Sequence, residues 1–250
     1  MLGKLPPKKD SRTLKFKNYV ADAGSPPRAV DFSKAVKRER WPVFANDRFP
    51  CCTCAAAGHM IQVWSANAGS ERILPDRAIL KAYLPFQHDV HKPRRHLLDI
   101  LNHWRKKGIG GQKIAAYAQL SLRNRDQVKA AISMFGAAYI GIGLPDFAAG
   151  DLAHLRRTPW VVRHTGPTSA RARRRRNGHC IAAVGYDSKN LHVITWGKMK
   201  RMSWEFYETY MEEAFAVVNK QFIDRKRAAA SALDIAALTR DVRQVTKPKR

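Results

Sequence analysis

The spacing of apolar residues changes character once along this chain, and that change most limits the folds open to it. Up to Phe135 the apolar residues recur at helical intervals, and from Ala137 onward they gather into short runs of the kind strands use. From Cys52 to about Ala66 the spacing predicts a helix. Ala55, Ala56, Ala57 and Gly58 are small on every side of it, and Ile61, Val63 and Trp64 follow. Such a helix can be approached closely from all directions and is expected at the centre of a core. Pro75-Asp76 opens a second helix through Tyr83, with Asp76 at the positive helix start. His96 to Lys107 reads as a third, with Leu97, Leu98, Leu101 and Trp104 on one face and Gly108 as its stop. Asp126 to Phe135 is a fourth, on Val128, Ala131, Ile132 and Phe135. No stretch before Ala137 has a long strand-like run. Beyond it, Ala137 to Ile142, Trp160 to Arg163, Cys180 to Tyr186, Leu191 to Trp196 and Ala214 to Val218 are expected strands. Ser203 caps a short helix to Tyr210, with Phe206 in its third position. Helices followed by strands point to an α+β fold rather than a doubly wound sheet.

The chain has 250 residues, 45% of them hydrophobic, which is enough for two lobes around a real core. The expected organisation is a basic N-terminal arm over 1–27, a helical lobe over 28–136, a β-rich lobe over 137–220 and a basic C-terminal extension over 221–250. Pro6-Pro7 and Pro26-Pro27 bracket the arm, and the extension holds one amphipathic stretch on Ile235 and Leu238. No apolar run approaches the ~20 residues of a membrane-spanning helix. The N-terminal stretch carries Lys4, Lys8, Lys9, Arg12, Lys15 and Lys17 without the apolar centre of a secretory signal, so a cytoplasmic location is expected. Of four cysteines, three crowd into Cys51, Cys52 and Cys54, which does not make a disulfide framework, and reduced thiols follow.

Charge is the outlier: 46 Lys and Arg against 20 Asp and Glu, a net +26. A field of that size attracts polyanions, whether nucleic acid, an anionic lipid surface or acidic protein. Arg171, Arg173, Arg174, Arg175 and Arg176 concentrate it just before His179. They read either as a solvated loop or as a basic rim that recruits a polyanion.

Cys52 sits at the start of the expected buried helix, where the helix N-terminus favours a thiolate and its own N–H can donate to an oxyanion. A cysteine among alanines can equally be a small core residue. His179 lies in Asn177-Gly178-His179-Cys180-Ile181-Ala182-Ala183-Val184-Gly185-Tyr186, at the head of an apolar strand about 130 residues later. At these residues the chain resembles the papain-like cysteine peptidases. That family carries a His followed by a similar Ala-Val-Gly-Tyr stretch. Its Val-Asp-Trp entry segment is similar to Val30-Asp31-Phe32, its oxyanion Gln is matched by Asn46, six residues before Cys52, and its Trp-Gly after the His by Trp196-Gly197. The resemblance covers roughly Val30 to Val218. It implies a helical lobe and a β-rich lobe with a cleft between them, Cys52 as nucleophile, His179 as general base, Asn46 as oxyanion donor, and no cofactor.

The departures are specific. Thr53 stands where the family has Trp, and Pro50-Cys51 where it has Gly-Ser, so Cys51 is an alternative nucleophile. The family's third residue falls on Ile194, which cannot bond an imidazole, and alternation is expected to turn Thr195 to the opposite face. A Cys–His dyad is therefore expected. His59 reads as a packed helix residue, and Cys-Cys-x-Cys at a helix start does not point its thiolates at one metal. The expected activity is that of a thiol hydrolase cleaving peptide or isopeptide bonds. The rival is a catalytically weak protein of the same fold, used for binding or assembly on nucleic acid or another polyanion.

Overall fold

A computed structural model describes residues 1–20, 25–37, 41–86, 95–149, 158–164, 178–226 and 234–245 of the chain. Its first helix, α1 (Cys52–Asn67), buries every residue except Ser65 and Asn67. Burial on all sides is what the small residues allow: at Gly58 a Cβ would come within 2.7 Å of the Phe44 ring and 2.9 Å of Ile79. Trp64 Nε1 donates to the Phe135 carbonyl at 2.6 Å, and the Tyr139 hydroxyl to the Thr53 carbonyl at 2.7 Å, so one end of α1 is tied to the helix Arg125–Phe135 and the other to the strand Ala138–Gly143. Helices α2 (Asp76–Tyr83), α3 (Leu97–Lys106) and α4 (Arg125–Phe135) lie within a residue of their expected limits. Asn124 caps α4 through Gln127 N–H, and left-handed Gly136 (φ 75°) ends it.

The sheet is antiparallel. Its strands are β1 (Val30–Asp31), β2 (Ala116–Gln119), β3 (Ala138–Gly143), β4 (Gly178–Tyr186), β5 (Asn190–Thr195), β6 (Lys198–Ser203) and β7 (Met211–Val218). The order is β2-β7-β3-β4-β5-β6, with β1 also on β4. Strand β3 pairs β4 as far as Ala183, and β1 takes up the same side at Gly185 and Tyr186, which is the structural role of Val30-Asp31. Every residue of β4 is buried, as an apolar run at the middle of a sheet must be. Helix α5 (Trp204–Tyr210) starts at Ser203, whose hydroxyl accepts from Phe206 N–H at 3.1 Å. Helices α6 (Lys220–Lys226) and α7 (Ile235–Val245) follow.

Three expectations are corrected. Trp160 to Arg163 is not a strand: only Trp160 bridges to β6, through its N–H to Arg201 O and its carbonyl to Ser203 N–H, both at 2.9 Å. Conversely β6 was not expected, because its alternating Lys198, Lys200 and Arg201 look like loop. Charged residues are what an outer strand carries. Strand β2 is four residues of mostly Ala and Gln, weak strand formers held in place by β7. The described part of the expected N-terminal arm lies on the body, with Lys4 and Phe16 both 1% exposed. Among the described residues no helix is long and apolar enough to cross a membrane.

Candidate active site

One wall is made by the loop before α1. Phe44 and Ala45 both adopt left-handed φ, 56° and 57°, and this tight turn swings Asn46 inward to 2% exposure. The Asn46 amide donates to the carbonyls of Phe49 and Met1, both at 2.9 Å. Cys51 is turned away into the core, its thiol donating to the Phe44 carbonyl at 3.4 Å, and burial pushes its pKa up to about 12. Cys54 is fully buried and its thiol is likewise pushed up. Cys52 is the first residue of the helix, at its N-terminus. Burial raises its pKa, while the backbone N–H groups of Cys180 and then Gly3, close to its sulfur, pull in the opposite direction. Cys52 therefore abuts β4 one residue beyond His179.

The other wall is β4 with the β5–β6 hairpin. His179 is 1% exposed, its Nε2 lies 2.8 Å from the Thr195 hydroxyl, and its ring stacks on Trp196 at 3.7 Å between centroids and 2° between planes. Its Nδ1 is buried with no hydrogen-bond partner among the described residues. Burial, with the positive charge of the Met1 amino group, pushes the imidazole pKa well down. Trp196 and Gly197 are the two central residues of the hairpin turn, with φ of 43° and 69°. Two positive φ values make a type I′ turn, which costs Trp196 backbone strain and leaves little room at Gly197, where a Cβ would meet the Trp41 carbonyl at 2.7 Å. The strained turn is what lays the indole flat on the imidazole.

The residue that meets the imidazole is thus Thr195, not Ile194. The register explains it. Ala182 pairs with Ile194, so these two share a face. His179, three residues before Ala182, and Thr195, one after Ile194, both fall on the other face. The alternation rule was sound, but the sequence does not show which of the two residues lies on the histidine's side. Ile194 is fully buried in the sheet core.

His59, expected to be a packed residue, accepts that description: its Nε2 contacts the Pro42 carbonyl at 2.8 Å, and burial lowers its pKa to about 4. Among the described residues no three His, Cys, Asp or Glu side chains converge on a point where a metal could sit. Arg171, Arg173, Arg174, Arg175 and Arg176 lie outside the described residues.

Sequence reasoning missed the occupant of the cleft. Residues Met1 to Leu5 run between the walls: Lys4 N–H donates to Gly178 O at 3.1 Å, Arg95 N–H to Gly3 O at 2.8 Å, and Leu5 N–H to Arg95 O at 2.8 Å. The Met1 amino group donates to the Asn46 carbonyl. This segment brings the Gly3 N–H to the Cys52 sulfur and the Met1 charge to bear on His179. Leu2 and Gly3, set among lysines, were the one hint of it.

No family model matches the chain, and no curated protein matches it. Solved structures do. The chain is similar to xylellain, a cysteine protease from Xylella fastidiosa, with TM-score 0.64 and 13% identity over 87% of this chain and 96% of that one. It is similar to a cysteine protease of Carica candamarcensis, with TM-score 0.54 and 14% identity over 77% of this chain and 99% of that one. Procathepsin B from Trypanosoma congolense aligns with TM-score 0.59 and 11% identity, over 88% of this chain and 86% of that one. Helical half, antiparallel sheet and the cleft between them together give this chain the papain-like cysteine protease fold.

Proposed function

We propose that the protein is a thiol hydrolase that cleaves peptide or isopeptide bonds, with Cys52 as nucleophile, His179 as general base and acid, Thr195 as the residue that positions the imidazole, and Asn46 as oxyanion donor. The observation that carries this reading is the state of the His179 ring. Nε2 is held by Thr195, one face is covered by Trp196, and the buried Nδ1 has no hydrogen-bond partner among the described residues. A ring oriented through Nε2 while Nδ1 stays unbonded is suited to move a proton.

In the proposed reaction the Cys52 sulfur attacks the substrate carbonyl carbon and its proton passes to His179 Nδ1. The oxygen, now negative, accepts from the Asn46 amide and the Cys52 backbone N–H. His179 returns the proton to the departing amine as the C–N bond breaks, leaving a thioester. Water, deprotonated by His179, then releases the acid and restores the thiol. Asn46 already donates to a carbonyl oxygen, that of Met1, which is the kind of contact the role requires. The N-terminal segment has to leave before a substrate can enter. The occupied cleft is also what favours the rival reading, a binding protein that keeps the site closed.

The deciding experiment is alkylation by iodoacetamide with peptide mapping, alongside hydrolysis of a quenched-fluorescence peptide library. The intact chain is compared with Lys4→Glu, which places a like charge among Glu212 and Glu213 to unseat the segment. Faster labelling of Cys52 than of Cys51, Cys54 and Cys180, together with peptide cleavage lost in Cys52→Ala, supports the hydrolase. Labelling without cleavage in the unseated chain favours the binding role.

A further inference from the structure

Lys4 is the most deeply enclosed charged side chain among the described residues. Its side chain is 0% exposed, and its ammonium lies 2.6 Å from Glu212, 3.2 Å from Glu213 and 2.9 Å from the Leu5 carbonyl. The ammonium donates to Glu212 and to the Leu5 carbonyl, and Glu213 stands beside it as a second ion-pair partner. Glu213 is itself 2% exposed, the single buried acidic residue among those described in a chain of net charge +26. Nothing in the general composition favours carboxylates here.

The pocket is shaped as well as charged. Gly141 pairs with Glu213 on one side and Cys180 on the other, and a Cβ at Gly141 would collide with the Lys4 Cε and come within 2.9 Å of Glu213 Cγ. A Cβ at Gly178 would collide with the Lys4 backbone carbonyl. The absence of side chains at these two positions makes a channel one aliphatic chain wide, ending in two carboxylates. The backbone of Lys4 is bonded to Gly178, the residue before His179, and its neighbour Gly3 lies against the Cys52 sulfur. The channel therefore opens within one or two residues of the reacting atoms.

From this we infer that the channel over Gly141 is a specificity pocket for a lysine side chain of the substrate, read by Glu212 and Glu213, and that the N-terminal segment fills it by presenting the same chemistry. The inference rests on the hydrolase reading for its place in the reaction, but the pocket itself can be tested apart from activity. A compact ammonium fits the channel's end; the broader planar guanidinium of arginine fits less well, and an uncharged chain of the same length leaves two carboxylates facing each other without a cation.

The test uses a fluorescent peptide with the chain's own first six residues, Met-Leu-Gly-Lys-Leu-Pro, and versions with arginine or norleucine at the fourth position. Binding is measured by anisotropy on the full chain carrying Cys52→Ala and Lys4→Ala. The lysine peptide should bind at least tenfold more tightly than the norleucine peptide and more tightly than the arginine one, and the difference should vanish when Glu212 and Glu213 are both changed to Gln. Equal binding of lysine and norleucine peptides, or a preference that survives the Gln changes, overturns the pocket. Should Lys4→Ala fail to fold, the unaltered chain serves. Excess lysine peptide should then expose Lys4 to acetylation by an N-hydroxysuccinimide ester, read by mass spectrometry, and norleucine peptide should not; no difference between them also overturns the pocket. Cleavage separates the two ideas. A chain with Lys4→Glu that cuts peptides with no lysine preference keeps the hydrolase and loses the pocket. One that binds lysine selectively and cuts nothing keeps the pocket and loses the hydrolase.

Discussion

The wall that carries Cys52 and the wall that carries His179 are assembled from different kinds of information. The first is local: a tight turn at Phe44 and Ala45, Asn46 six residues before Cys52, and a helix whose small residues let it sink into the core. The second is assembled at a distance. His179 meets Thr195 and Trp196 only because β4 and β5 pair in one register and a strained two-residue turn tips the indole over. A one-residue slip of β5 would put Ile194 beside the imidazole and Thr195 in the core. Damage to the local wall should therefore remove a chemical group and leave the fold. Damage to the distant wall should depend on which face of a strand is touched.

The largest expected effect comes from removing the proposed nucleophile or the proposed base. Cys52→Ala or His179→Ala should lower peptide turnover by about 10⁴-fold or more, and the double variant little further, because the two act as one unit. Circular dichroism should be unchanged. Independent, additive losses would break the idea that the walls work together.

Asn46→Ala should lower kcat by roughly 10²–10³-fold with a small change in KM, as for loss of one oxyanion donor. Cys51→Ala should cost far less. A larger loss at Cys51 than at Cys52 would move the nucleophile by one residue and overturn the account of the local wall.

On the distant wall, Thr195→Val removes the contact to His179 Nε2 while keeping shape. A hydrogen bond to a group that becomes charged is worth about 1.5–3 kcal/mol, so turnover should fall by roughly 10–100-fold. Ile194→Asn should give no gain and should lower the melting temperature, since it buries an amide where Ala182 and Ile194 pack. An increase in turnover for Ile194→Asn would show the register to be wrong.

The pH profile sharpens the comparison further. Burial raises the Cys52 thiol above its ordinary value of 9.0 and lowers the His179 imidazole below 6.5, so near neutrality both are uncharged in the closed chain. Alkylation of Cys52 should be slow at pH 7 and keep rising beyond pH 9. Unseating the segment with Lys4→Glu removes the Gly3 N–H and the Met1 and Lys4 charges, which hold the thiol pKa down, but it also readmits water against burial, the larger cause, so the profile should move toward lower pH, with about a tenfold gain in rate at pH 7 for each unit moved. An identical profile in both chains would mean that the segment does not shield the thiol. The smallest effect is Ser203→Ala, which removes a purely local cap from α5 and should cost about 1 kcal/mol in a urea melt with turnover within twofold.

Much of the fold could be read in advance because it is written in short intervals. Four helices kept their limits because capping residues and apolar spacing act within a few turns. Strand β6 was hidden by its charges, and the signal for it was the Trp196-Gly197 turn, whose glycine at the second position marks a hairpin.

By itself, then, the sequence determined the helices up to Phe135, the helix that raises Cys52, and the strand that carries His179, since backbone geometry and burial bind neighbours in sequence. Tertiary structure alone decided that Thr195 rather than Ile194 meets the imidazole, and that Lys4 enters a channel cleared by Gly141 and closed by Glu212 and Glu213. Both depend on residues far apart in the chain meeting in one register. A strand's alternation fixes which residues share a face, but only its pairing with another strand fixes what that face meets.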